Sequence, residues 1–231
     1  MLKMTYYGHA VFLLTDGEHR VIVDPFLEGN PAAPVKATDI SVDYVVVTHA
    51  HGDHLGDAVP IAIRNKATII ANNEIAEYVK SKGAKAHNMH IGGTVKLLDQ
   101  SSQPFGWIKL TIAHHGSVTP DGVYGGNPCG ALVNIGRKTV YHTGDTGLFY
   151  DMKLIGEMNP VDVMLCPIGD TYTMGITDAA KAVELVRPKL AVPMHYNTWP
   201  VIAADPQEFV RRVSASGLNA RVMQVGETLD F

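Results

Sequence analysis

Short runs of apolar residues, broken by turn formers, dominate the first quarter of the chain. Residues 3–8, 10–15 and 20–24 read as strands, with Asp16-Gly17 making the turn between the second and third. Glu28-Gly29-Asn30-Pro31 then breaks the chain into a loop. Residues 44–47 are a continuous apolar run rich in β-branched side chains. Such a run predicts a strand buried on both faces, and hence layers on both sides of its sheet. After it the period changes. Residues 57–65 predict a helix, with Pro60 tolerable only in its first turn. Residues 67–71 predict a strand. Asn73 suits a helix cap, Ile75, Ala76 and Val79 make one apolar face, and Gly83 suits the stop.

Strands return at 94–98, 107–113, 131–135, 139–143 and 161–166. Thr177 is the expected cap of a helix carrying Ala180, Val183 and Val186, which ends before Pro188. Residues 189–194 predict another strand. Asp205-Pro206-Gln207-Glu208 has the form of a capping box with proline at the first helical position, ahead of Phe209, Val210 and Val213. Gly217 ends that helix, and two short strands are expected to close the chain. No internal repeat interrupts this order. It predicts an α/β fold built as a four-layer αββα sandwich, two mixed sheets stacked with helices outside, in a single domain over residues 1–231.

Composition narrows the class. Apolar residues at 46% and charged residues at 18% fit a globular core and exclude disorder as the main state. The longest apolar run, residues 10–14, is far below the roughly 20 residues a bilayer span needs. The first residues lack a charged head followed by a long apolar stretch, so no signal peptide is expected. Nineteen scattered basic residues against 23 acidic ones give a net charge of −4, which weighs against nucleic-acid binding. Cys129 and Cys166 cannot build a disulfide framework, and a cytoplasmic location with reduced thiols is expected. No G-x-G-x-x-G or P-loop pattern occurs. The count that changes the picture is eleven histidines.

Thr48-His49-Ala50-His51-Gly52-Asp53-His54 follows directly on the buried strand. If that segment is extended, His49 and His51 point the same way, because side chains alternate. Imidazole and carboxylate are common ligands for zinc and other divalent metals. Burying three histidines and an aspartate with no shared partner would be costly. Small Ala50 and Gly52 let the backbone pack close to a metal.

The motif resembles the signature of the metallo-β-lactamase superfamily, His-x-His-x-Asp-His after a core strand. That family's later ligands have counterparts in His115 after residues 107–113, Asp145 after 139–143 and His195 after 189–194. Tyr7-Gly8-His9-Ala10, Asp24-Pro25-Phe26, His90-Ile91-Gly92-Gly93, the run from His142 to Leu148 and Met194-His195-Tyr196-Asn197-Thr198 look like one branch. It is the UPF0173 type of metal-dependent hydrolase, similar to the ascorbate-phosphate lactonase branch. The resemblance implies two divalent ions per chain, zinc first, with manganese, iron or nickel chemically reasonable. His49, His51 and His115 would hold one ion; Asp53, His54 and His195 the other; Asp145 would be shared. It implies that a metal-bound hydroxide, oriented by Asp53 as catalytic residue, attacks an ester, lactone or phosphodiester bond of a small or medium substrate. Flavodiiron relatives carry glutamate at the position of His51, so His51 favours hydrolysis over redox chemistry. Family members of this size often associate into oligomers.

Two other functions compete, a nuclease acting on nucleic-acid phosphodiesters and a sensing protein that keeps its metals for structure. The net charge and the length count against the first, and the seven candidate ligands count against the second. Asp24 reads either as a support behind a ligand histidine or as a turn carboxylate. His9 and His90 read either as substrate contacts or as turn histidines, and Asn197 as an oxyanion donor or a turn former. The 169–174 segment follows a core strand at the rim, with no role fixed by its residues.

Overall fold

A computed structural model describes residues 1–231. In chain order the first half contains β1 (Lys3–Tyr6), β2 (Phe12–Thr15), β3 (Arg20–Val23), β4 (Tyr44–Val46), α1 (Gly52–Leu55), α2 (Ala58–Asn65), β5 (Thr68–Asn72), α3 (Asn73–Ser81) and β6 (Lys85–Met89). The second half contains β7 (Thr94–Leu98), β8 (Pro104–Ile112), β9 (Cys129–Ile135), β10 (Lys138–His142), α4 (Met152–Met158), β11 (Val163–Pro167), α5 (Ile176–Val186), β12 (Leu190–Met194), α6 (Pro206–Ala215) and β13 (Thr228–Asp230). One sheet has seven strands in the order β13-β1-β2-β3-β4-β5-β6, and the other has six in the order β12-β11-β10-β9-β8-β7. Both are mixed: β3 to β6 run parallel, as do β10, β11 and β12, while the remaining pairs are antiparallel.

Alternation along the strands builds three apolar layers. Met4, Phe12, Leu14 and Val46 of the first sheet meet Ile108, Leu110, Val133 and Leu165 of the second. Val45, one residue from Val46, faces the other way, toward Ile61 of α2 and Ile75 and Val79 of α3. On the far side of the second sheet, Tyr141, Met164 and Cys166 meet Val183 of α5 and Phe209 and Val213 of α6. Each such fully buried large side chain contributes roughly 1.5–3 kcal/mol. The layers are therefore helix, sheet, sheet, helix, as the apolar run at 44–47 implies.

Several local features depart from the sequence reading. The strand β6 was not expected, because Lys85-Ala86-His87-Asn88 on a sheet edge is largely exposed and lacks an alternating apolar face. Helix α4 was also unexpected. It buries Met152 but has no strong cap signal, and its Asp151 makes no side-chain cap bond. Asn72, not Asn73, caps α3, accepting from the Ile75 amide at 2.9 Å. Gly175, not Thr177, stands at the cap of α5. Asp205 caps α6 through the Gln207 amide, but Glu208 pairs with Arg211 and Arg212 instead of completing a capping box. Of the two final strands, only β13 forms; near residue 220 there is a single bridge, Ala191 to Ala220. No helix is long and apolar enough to cross a membrane.

Candidate metal centre

The parallel strands of both sheets deliver their C-terminal ends to the same side of the sandwich, and the histidines collect there. Beyond β4 the chain does not stay extended. Thr48 and His49 are buried, His51 precedes the first turn of α1, and Asp53 and His54 lie on that turn. One motif thus sends ligand candidates in two directions, from a loop and from a helix. Gly144, after β10, has φ +62°, and a Cβ there would sit 2.5 Å from the Cys129 carbonyl oxygen and 3.1 Å from the Thr48 side chain. Only glycine lets the β10 loop approach the motif this closely, and the next residue is Asp145.

Two groups of side chains converge. Single donor atoms of His49, His51 and His115 lie within 4.8 Å of one another, and so do those of His9, Asp53, His54 and His195. Asp145 lies between the groups. Its Oδ2 is 3.9 Å from His49 Nε2, 3.7 Å from His115 Nε2, 3.3 Å from His54 Nε2 and 3.0 Å from His195 Nε2. All seven residues proposed from the motif and its later counterparts are brought together.

The hydrogen bonds behind the imidazoles fix which nitrogen faces inward. Asp24 is fully buried, and its Oδ2 accepts from His54 Nδ1 at 2.8 Å and from the Thr48 hydroxyl at 2.7 Å. Having donated its only hydrogen, the Thr48 hydroxyl accepts from His49 Nδ1, 3.0 Å away. Both rings therefore turn an Nε2 lone pair toward Asp145. Asp24 is the support behind ligand candidates that its position at the end of β3 allowed.

The donor set suits a divalent metal. His54 Nε2, His195 Nε2 and Asp145 Oδ1 are buried with no hydrogen-bond partner. His195 Nε2 is 3.0 Å from Asp145 Oδ2, yet the two are not aligned as donor and acceptor. An imidazole and carboxylate set without thiolate matches zinc and also manganese, iron or nickel. Electrostatics agree. Burial alone would raise the Asp53 carboxyl, but His195 3.7 Å away and the hydrogen-bonded His9 hold it far below the ordinary range. Burial opposes charge on His195, yet Asp145 pushes it up to about 9, and Asp145 and Asp24 raise His54 in the same way. Burial, with His54 beside it, lowers His49. The carboxylates demand positive charge at this spot, which a metal ion supplies in place of protons.

The remaining candidates separate. His9 is buried and faces the centre: Nε2 lies 3.2 Å from Asp53 Oδ2 and Nδ1 2.8 Å from the Thr198 hydroxyl. His90 is exposed in the turn between β6 and β7 and stands outside the cluster. Asn197 is exposed, and its Oδ1 accepts from the Ala204 amide, so its side chain closes a turn. His114 is exposed, with its ring 5.0 Å from that of Phe149. In the 169–174 segment, Gly169 packs tightly under the His195 carbonyl, and the Met174 amide donates to Thr146. Sequence reasoning missed Thr48 and Thr198. Each is a hydroxyl one to three residues from a ligand candidate, the only signal that marks them. His9, Asp24, His195 and Asn197 all have positive φ without being glycine. Such conformations cost about 1–3 kcal/mol each and gather where surrounding structure enforces a function.

Residues 19–196 match the model of the beta-lactamase superfamily domain. Over 228 residues the chain is 50% identical to a UPF0173 metal-dependent hydrolase of Carboxydothermus hydrogenoformans, covering 98% of each. It is 47% identical to one from Archaeoglobus fulgidus, covering 100% of this chain and 99% of the relative. Among solved structures it is similar to Igni18, a metallo hydrolase from Ignicoccus hospitalis, with a TM-score of 0.89, 41% identity and coverage of 100% and 99%. With its fold, its histidine cluster and these relatives in agreement, the chain belongs to the beta-lactamase superfamily, as a metal-dependent hydrolase of the UPF0173 group.

Proposed function

We propose that the chain is a binuclear enzyme that hydrolyses an ester, lactone or phosphodiester bond of a small or medium substrate in the cytoplasm. The observation that carries this reading is Asp145, whose single Oδ2 approaches two histidines of each group. In it His49, His51 and His115 would hold one divalent ion, zinc first, Asp53, His54 and His195 would hold a second, and Asp145 would serve both. Such ions would supply polarisation of the scissile oxygen and a water whose pKa is lowered toward about 7.

The chain's own residues do the rest. Asp24, directly and through Thr48, keeps His54 and His49 in the tautomer that offers Nε2. Asp53 is the most open carboxylate of the set, with 26% of its side chain exposed against 3% for Asp145. It orients the attacking water, while His9 steadies Oδ2. Cys129 and Cys166 are both buried and unpaired, in keeping with a reducing compartment.

Elemental analysis of metal-loaded, dialysed protein tests the reading. About two ions per chain are expected for the native protein and fewer than one for Asp145→Ala, with loss of turnover on every ester and phosphodiester tried. A stoichiometry near zero with zinc, manganese, iron and nickel in turn would overturn it.

A further inference from the structure

The segments that form the rim of the centre carry no fixed positive charge of their own. Residues 24–35, 47–57, 90–93, 113–128, 143–151, 168–175 and 195–205 follow the strands and helix turns at the metal end, and they contain no lysine or arginine. All 19 basic residues lie elsewhere, while Glu28, Asp57, Asp121, Asp151, Asp170 and Asp205 lie in these segments. Of the cations that reach these segments, Lys82 is paired with Asp121 at 3.3 Å and Arg211 with Asp205 at 2.9 Å, so neither offers a phosphate or free carboxylate an uncommitted charge. Enzymes that select such groups use paired cations, above all arginine, because exposed anions are otherwise better solvated by water.

Beside the centre the surface is partly apolar. A cavity of about 370 Å³ adjoins His115 and is lined by Ile91, Ile112, Ala113, Pro128 and Asn127 as well as His114. Ile112 explains how it arises. Along β8, Ile108 and Leu110 are fully buried between the sheets, but Ile112, on the same face, is 37% exposed. The inter-sheet core thus opens at its metal end, and Ile91, also 37% exposed, stands in the turn beside it. On the other side of the centre, Phe26 and Trp199 pack on His9, with ring centroids 5.7 and 5.1 Å away. Apolar walls that stay open beside reactive groups are the usual form of a small-molecule pocket.

We infer that the substrate is an uncharged ester or lactone whose apolar substituent lies in the cavity against Ile91, Ile112 and Pro128, next to His115. This deepens, and rests on, the hydrolase reading above. The acyl C–O bond breaks; water gives its oxygen and one hydrogen to the acyl carbon, and its other proton goes to the leaving alkoxide. No reactant other than water enters.

The test uses metal-loaded enzyme and four sets of probes. The p-nitrophenyl esters run from acetate through butanoate to hexanoate, and alkyl acetates run from methyl to hexyl. Bis(p-nitrophenyl) phosphate represents an anionic diester. Hydroxamates from acetyl to hexanoyl report binding by calorimetry without turnover. A methylene entering the cavity should raise kcat/KM or hydroxamate affinity about two- to fourfold, and the phosphodiester should be at least about 100-fold poorer than hexanoate ester. Ile91→Asp, at an exposed turn where the fold is not at risk, should bring the hexanoate-to-acetate ratio close to one. Flat dependence in both ester series and in hydroxamate binding would overturn the inference while leaving the hydrolase reading intact. So would a preference for the phosphodiester. Should no ester or diester turn over, the hydrolase reading fails for these classes, and the hydroxamate series still decides whether the cavity takes an apolar group.

Discussion

Asp24 Oδ2 lies 2.8 Å from His54 Nδ1, and the same oxygen takes the Thr48 hydroxyl that in turn holds His49. One buried carboxylate therefore orients an imidazole in each half of the centre. Asp24 adopts φ +46°, which asparagine tolerates better than alanine. Asp24→Asn should leave the fold in place and weaken metal binding about 10–100-fold, the usual effect of losing such a support. Thr48→Val should affect only the His49 branch and weaken one ion by about tenfold. Competition against a chromophoric chelator measures both, and unchanged affinity in Asp24→Asn would remove Asp24 from the account.

Asp53 combines a position on the first turn of α1 with partial exposure, and its hydrogen bond comes from His9. Asp53→Ala should cut hydrolysis by about 10²-fold, the loss expected when the attacking water is misplaced, and more if an ion is lost with it. Circular dichroism should show the fold intact, because few apolar contacts disappear. His87→Ala, on the exposed edge strand β6, should keep activity within about threefold, since substitutions of that kind shift stability by only about 0.5 kcal/mol. Equal turnover by wild type and Asp53→Ala would refute the role given to Asp53.

What the sequence displays and what it hides have separate causes. The layers are legible because the doubly buried strand at residues 44–47 and the amphipathic helices carry their periods openly. The ligand candidates are legible because each follows directly on a strand whose apolar run is unmistakable. β6 is not, since an edge strand whose side chains are mostly in water needs no apolar face. Thr48 and Thr198 are not, since a hydroxyl acquires its role only from the groups that fold against it, Asp24 in one case and His9 in the other. The shape beside His115 is hidden for a third reason: Ile112 looks like a core residue, and only its place at the end of β8 leaves it exposed.

The adjacent pair His114 and His115 allows a sharp comparison. His115 Nε2 lies 3.7 Å from Asp145 Oδ2, whereas His114 is exposed beside Phe149. His115→Ala should bind one ion fewer per chain and lose most activity. His114→Ala keeps the main-chain bonds to Thr146 and Gly147, because these use its amide and carbonyl, so stability should change by about 0.5 kcal/mol. Elemental analysis and thermal unfolding of the two variants, side by side, check the assignment; a lost ion in His114→Ala would reverse it.

Asp162 controls stability far from the metal centre, at the end of the sheet where β10, β11 and β12 begin. Its Oδ2 accepts from the Thr139 amide at 2.9 Å, and its Oδ1 accepts from Lys189 Nζ at 2.8 Å, with Lys138 Nζ at 3.5 Å. Burial alone would raise this carboxyl, but the Lys189 and Thr139 bonds bring it below the ordinary value. With the folded value below the unfolded one, the stabilisation is complete above about pH 4 and is lost as pH falls through the folded value. Asp162→Asn keeps the shape and removes the charge. It should cost about 1–2 kcal/mol at pH 7, which for a chain of this size lowers Tm by roughly 2–8 °C. Calorimetry at pH 7 and again at about pH 3 checks the cause. The gap between wild type and variant should narrow in acid, and a gap of equal size at both pH values would show that the charge on Asp162 is not what ties the three strands together.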